Sequence, residues 1–213
     1  MMPEMDGGDL CRRLKTDERT SHIPVILLTA KSSQTDQVTG LETGADVYVT
    51  KPFSPKVLSL NVRNLLALKE SMRQKLSREM TEDRGQHVSV VTAIENNIAG
   101  TADKEFLNRV IQIVEEHISN PDFGVDMLSR KVAMSAPVLY KKIKAVTNLS
   151  VNEFIKLLRL KKAAELLLQK EMTVYEVAYA VGYNDRKYFS REFKKQFGKT
   201  PSDYSDTNPA RNG

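Results

Sequence analysis

Residues 174–204 read VYEVAYAVGYNDRKYFSREFKKQFGKTPSDY. Val174, Val177 and Val181 fall at i, i+3 and i+7, one stripe of a short helix. Gly182 then allows a tight turn, and Asn184–Asp185 offer an N-cap for a second helix. On that helix Phe189 and Phe193 are four apart and face a core. Arg186, Lys187, Arg191, Lys194 and Lys195 are the cations expected outward on this helix, against Asp185 and Glu192. Two short helices joined by a small-residue turn are a helix-turn-helix unit.

The chain contains this unit twice. VDMLSRKVAMS at 125–135 aligns with VYEVAYAVGYN at 174–184, pairing Val125, Leu128 and Val132 with Val174, Val177 and Val181 at an offset of 49. LYKKIKAVTNLSVNEF from Leu139 aligns with FSREFKKQFGKTPSDY from Phe189 at an offset of 50. Leu139, Ile143 and Phe154 thereby pair with Phe189, Phe193 and Tyr204. In the first copy Ala133 takes the turn, Ser135 the N-cap, and Lys141, Lys142 and Lys144 are expected to point outward. A long helix at 151–169 joins the copies, with Ser150 and Glu153 forming a capping box. Its length, about 28 Å at 1.5 Å per residue, compares with the roughly 34 Å after which a major groove returns to the same face.

Composition narrows the function. The 213 residues are 40% hydrophobic and 28% charged, and the net charge is +5. Residues 1–103 hold 13 Lys+Arg against 14 Asp+Glu, whereas residues 104–205 hold 18 against 12. The basic half points to a polyanionic partner. One cysteine, Cys11, excludes an internal disulfide framework, and His22, His87 and His117 lack metal-ligand spacing. No apolar run reaches the 18–20 residues or so of a membrane span, and MMPEMDGG does not read as a secretory signal. A cytoplasmic protein without cofactor or metal is expected. No paired carboxylates, nucleophile–base pair or phosphate-cradling glycine loop appears, so an enzyme is not expected.

The N-terminal third has a different pattern. VILLTA at 25–30 and ADVYVT at 45–50 are short, β-branched and bounded by Pro24 and Gly44, as buried parallel strands are. Helical stretches are expected at 8–14 and 34–42, and a long helix opens at Ser54-Pro55. Helix, strand, helix, strand, helix is half of a doubly wound α/β sheet. Leu58, Val62, Leu65, Met72 and Leu76 make a short heptad stripe along the last helix. Residues 81–103 read as a linker carrying a short strand at Val88–Val91.

Two family resemblances follow. MPEMDG at 2–7, LLTA at 27–30 and GADVYVTKPF at 44–53 resemble the second half of a response-regulator receiver domain, over about residues 1–68. The resemblance implies that Thr29 bonds a phosphoryl group, Lys51 pairs with it, Lys51–Pro52 is cis and Tyr48 is a switch aromatic. By that pattern the phospho-acceptor aspartate falls two residues before Met1. The piece is therefore expected to be an unphosphorylatable, poorly stable remnant with an uncovered sheet edge and apolar face. The 174–204 string and RLKKAAELL at 159–167 resemble the AraC-type DNA-binding domain, over about residues 104–205. That family implies seven helices, near 104–119, 125–132, 136–146, 151–169, 174–181, 185–197 and 201–205. It implies base-facing positions at Pro137, Tyr140 and Lys141 in the first recognition helix and at Arg186, Lys187, Tyr188 and Arg191 in the second. Lys144 and Lys194 suit phosphates.

The expected fold class is thus mixed: a partial, flavodoxin-like α/β receiver fragment at 1–68, a helical extension and linker at 69–103, an all-α tandem helix-turn-helix domain at 104–205 and a disordered tail at 206–213. The order resembles the C-terminal end of a hybrid two-component regulator. The expected function is sequence-specific transcription regulation with double-stranded promoter DNA as partner; a homodimer and RNA polymerase contact are left open, and no small-molecule substrate is expected. The alternative is a non-phosphorylatable module that pairs with other receivers and antagonises the intact regulator.

Overall fold

The computed structural model describes residues 5–30, 42–81, 90–98 and 100–206. The helix expected at 34–42 and the tail at 206–213 lie almost wholly outside them. Helix α1 (Gly7–Thr16) is capped by Asp6, whose carboxylate accepts the Asp9 N–H at 2.8 Å. Strands β1 (Ile26–Thr29) and β2 (Val47–Thr50) pair in parallel, from Ile26 opposite Val47 to Thr29 opposite Thr50. Asp46 holds the open end of this pair. Its carboxylate accepts the Val25 N–H at 2.9 Å, a bond from Lys15, and an ion pair with Lys69 at 3.1 Å. Beyond the sheet come α2 (Pro55–Thr81) and α3 (Val90–Asn97).

The helical domain continues with α4 (Thr101–Glu116), α5 (Val125–Lys131), α6 (Ala136–Thr147), α7 (Val151–Gln169), α8 (Val174–Ala180), α9 (Arg186–Phe197) and α10 (Pro201–Ser205). The duplication extends to the backbone. Ala133 and Gly182 both have positive φ, 54° and 78°, as do Asn148 and Gly198, 63° and 73°. Met134 N–H reaches Ser129 O at 3.0 Å, and Tyr183 N–H reaches Ala178 O at 2.9 Å. The small turn residues therefore share a left-handed conformation, which glycine adopts freely and other residues do so at a cost. Close approach is a second requirement at Gly182 alone: a Cβ there would lie 2.5 Å from the Ile118 carbonyl oxygen.

Two apolar cores follow the two units, and α7 serves both. Phe154, Leu157 and Leu158 join Phe106, Val110, Leu128, Leu139 and Ile143. Leu160, Ala163, Ala164 and Leu167 join Val177, Val181, Phe189, Phe193 and Tyr204. Phe193 sits among rings, 5.6 Å from Phe189, 4.5 Å from Phe197 and 5.3 Å from Tyr204 between centroids. Burial of these side chains is the main force holding each unit together.

Two expectations need correction. The strand at Val88–Val91 is instead the opening of α3 from Val90; Val88 and Ser89 lie outside the described residues. Val90, Ala93 and Ile94 recur at i, i+3 and i+4 and are buried in the first core, a helical rather than a strand period. The heptad stripe of α2 does not lie in one environment: Leu65 and Leu76 are buried, whereas Val62 and Met72 are exposed. Leu76 and Met80 at its far end join the first core of the helical domain. Ser135 occupies the N-cap of α6 as expected, and does so without a side-chain cap bond. Pro137 at the second helical position removes one of the N–H groups such a cap would use.

Candidate nucleic-acid interface

The second helix of each unit has one buried and one open side. On α6 Leu139 and Ile143 are fully buried, while Pro137, Tyr140, Lys141 and Lys144 are exposed. On α9 Phe189 and Phe193 are fully buried, while Arg186, Lys187, Tyr188, Arg191 and Lys194 are exposed. The four-residue apolar spacing sends both core residues to one side and leaves the intervening cations in solvent.

The acids of α9 are occupied elsewhere. Asp185 is its N-cap and accepts the N–H groups of Lys187 at 2.7 Å and Tyr188 at 3.0 Å. Those backbone bonds, the Tyr188 one first, hold its carboxyl below the usual range. Glu192 bonds Lys156 of α7 at 2.8 Å, which lowers its carboxyl in turn. The outward surface of α9 is therefore cationic along its length. The Arg191 guanidinium lies 5.1 Å from the Tyr188 ring centroid, a cation–π arrangement that orders both side chains.

Lys142 departs from the sequence reading. It was expected outward with Lys141 and Lys144, yet its side chain has no exposed surface. Its ammonium donates to Ser21 Oγ at 2.8 Å, to Asp103 Oδ1 at 2.9 Å and to the Glu18 carbonyl. Lys142 and Glu192 are equivalent across the duplication, and each pairs with a residue of another helix, although Glu192 Oε1 also lies 3.8 Å from Arg191 Nε of the open row. Three acceptors make the burial of a cation tolerable here.

Sequence reasoning also missed Arg159. From the middle of α7 its guanidinium donates to Gly182 O at 3.1 Å, Asn120 O at 2.7 Å and Phe123 O at 3.3 Å. It links the turn of the second unit to the loop before the first. An arginine within an otherwise apolar helix stripe was the available signal. Gln196 of α9 also donates to Thr81 O, at 2.6 Å, at the end of α2.

At the receiver end, Thr29 and Lys51 meet at the carboxyl ends of the two strands, where Lys51 N–H bonds Thr29 O at 2.7 Å. Lys51 is exposed, Lys51–Pro52 is cis, and Tyr48 stands opposite Leu27 in the register. Leu28, Val57, Leu60, Leu66 and Leu68 expose large apolar surfaces on β1 and α2. Among the described residues no helix is long and apolar enough to cross a membrane, and no group of three or more His, Cys, Asp or Glu could hold a metal ion.

A tandem helix-turn-helix domain following a parallel α/β segment is the class that this fold defines. Residues 1–63 match the family described as response regulator receiver domain, and residues 128–207 match the family described as helix-turn-helix domain. The chain thus joins receiver sequence at its start to helix-turn-helix sequence further on. It is 40% identical over 206 residues to histidine kinase P4 of Formosa agariphila, across 97% of this chain and 14% of that protein. Over 66 residues it is 50% identical to the phosphate regulon transcriptional regulatory protein PhoB of Pseudomonas aeruginosa, 31% of this chain and 29% of that protein. The chain therefore spans well under a third of the length of the histidine kinase. Among solved structures, the C-terminal domain of AraT, a response regulator from Geobacillus stearothermophilus, is 32% identical with a TM-score of 0.46, covering 50% of this chain and 88% of that one.

Proposed function

We propose that the chain is the DNA-reading output end of a two-component regulator. The observation that carries this reading is the matched pair of helices, α6 and α9, each with a buried apolar side and an open row of cations and tyrosines. Lys141, Arg186, Lys187 and Arg191 reach base edges in the major groove, where lysine and arginine pair with guanine. Tyr140 and Tyr188 offer ring surface to a thymine methyl, and Pro137 adds apolar contact. Lys144 and Lys194 meet phosphates, which hold register and make affinity fall with salt. Helix α7 spaces the two units, with Arg159 and the Lys156–Glu192 pair fixing α7 against the second. The reading divides the chain into a receiver piece at 1–68, an extension at 69–103 and the DNA-binding domain at 104–205, and involves no catalysis by this chain. Thr29, Tyr48, Lys51 and Pro52 form the receiver side, at the strand ends where parallel sheets hold phosphoryl groups.

The test is selection of duplexes from a random library by the chain, followed by binding at several salt concentrations. Lys141→Ala and Arg186→Ala should each cost about 1–3 kcal/mol on the enriched duplex, with relaxed preference at single base pairs. Lys194→Ala should weaken all duplexes alike and lower the salt slope by about one. Enrichment of no sequence, or unchanged binding in all three variants, would refute the proposal.

A further inference from the structure

We infer that Lys142 is a positioning residue for DNA reading: it fastens the first recognition helix to the 17–22 loop of the receiver segment, so that the loop sets where that helix lies. The inference rests on the DNA-binding reading above and extends it to a connection between the two parts of the chain.

The argument begins with donor arithmetic. An ammonium carries three N–H donors. Lys142 spends them on Ser21 Oγ, the Glu18 carbonyl and Asp103 Oδ1. Two of these acceptors belong to the receiver segment, and the third stands in the first turn of α4. The side chain is fully enclosed, and its ammonium lies 4.7 Å from the Phe106 ring centroid. Without the loop, the buried charge would keep Asp103 alone, and a buried charge short of partners is strongly destabilising. The loop and α6 are therefore bound energetically and not merely adjacent.

The neighbouring contacts reinforce the same junction. Ser21 Oγ also donates to Asp103 Oδ1 at 2.7 Å, so receiver, α4 and α6 share one network. Arg109 of α4 pairs with Glu18 at 2.5 Å. The loop itself is held in shape: Thr20 and Ser21 N–H bond Asp17 O at 2.9 and 2.8 Å, and Ile23 N–H bonds Thr20 O at 2.9 Å. A shift of residues 17–22 thus pulls on an ammonium that cannot find water. That ammonium grows from the helix whose other side carries Tyr140, Lys141 and Lys144. The second unit has no such tie at the equivalent position, because Glu192 pairs with Lys156 inside the same domain. Among the described residues α9 instead reaches the end of α2, where Gln196 donates to Thr81 O. The junction therefore adjusts the first recognition helix relative to the second, which alters the part of a DNA site that the first unit reads.

The test uses the full chain and a duplex enriched by the wild-type chain from a random library. Lys142→Met keeps the length of the side chain and removes its charge. Amides of Thr20, Ser21 and Ile23 should then exchange about tenfold faster or more, while those of α9 are unchanged. Discrimination between base pairs in the first unit's half of the site should fall about tenfold, with the second half read as before. A residue that served stability alone would weaken both halves together. Ser21→Ala removes one acceptor, spares the Lys142–Asp103 pair and should give the same pattern at smaller amplitude. Unchanged exchange over 20–23 in Lys142→Met overturns the inference. Should that variant lose its helical content, Ser21→Ala decides: faster loop exchange with half-site loss supports it, and wild-type behaviour overturns it. If the wild-type chain enriches no duplex, the DNA reading falls and the positioning role with it, while exchange still reports on the fastening by itself.

Discussion

Gly182→Ala should destabilise the chain by about 2–4 kcal/mol, whereas Ala133→Gly at the equivalent turn should change stability by less than about 1 kcal/mol. The two positions share a left-handed backbone, with φ of 78° and 54°. An L side chain in that conformation costs about 1–2 kcal/mol. The surroundings then separate them. A Cβ on residue 182 would stand 2.5 Å from Ile118 O and 3.1 Å from Arg159 Cζ. The first neighbour is backbone, so the turn itself must move. Gly182 O also accepts the Arg159 guanidinium at 3.1 Å, and a hydrogen bond to a charged group contributes about 1.5–3 kcal/mol. Against these losses, alanine restricts the unfolded chain and returns about 0.4–1 kcal/mol. Ala133 is exposed and already holds a side chain at its turn, so Ala133→Gly trades relieved strain against the same entropy. Urea unfolding followed by far-ultraviolet circular dichroism measures both, and the Gly182→Ala melting temperature should drop by about 5–15 °C. A loss for Gly182→Ala no larger than that for Ala133→Gly would refute the close-approach argument.

Phe193→Ala should cost about 3–5 kcal/mol, because it opens a cavity among Phe189, Phe197 and Tyr204. Hydrogen exchange should localise that loss to α8–α10; equal loss in α5 and α6 would show that the two cores are not separate. Half-burial, and then the nearby Lys142 charge, hold the His22 imidazole below its ordinary value, with Asp103 opposing and Lys15 and Lys69 adding to the shift. The folded chain thus favours the neutral ring. Stability from this source is present above the unfolded value of about 6.5 and declines as pH falls below it. His22→Asn should flatten the stability profile between about pH 7 and 5.5; an unaltered profile would remove His22 from the account.

Most of the helical half was legible because its signals are local. Apolar spacing of three and four residues sets a helix face, and Ser150–Glu153 and Thr173–Glu176 form capping boxes from residues three apart. Repetition at 49 and 50 residues then aligned Leu139 with Phe189 and Ile143 with Phe193, and all four are buried. The open cations Lys141 and Arg191 followed from the same arithmetic, whereas Arg186 is open because it stands at the first position of its helix. What periodicity could not show was which further surfaces meet. Val90 reads as β-branched and strand-like until Ala93 and Ile94 find the first core. Gly182 looks like any turn glycine until Ile118, 64 positions earlier, is folded against it. Lys142 reads as one more surface cation beside Lys141 and Lys144. Its burial depends on Ser21, Glu18 and Asp103, two of them more than 120 positions away, arriving together. Side-chain spacing reports the faces of a single helix, whereas the partner of each face is chosen only when distant segments pack, since a charge goes inside only where enough acceptors converge on it.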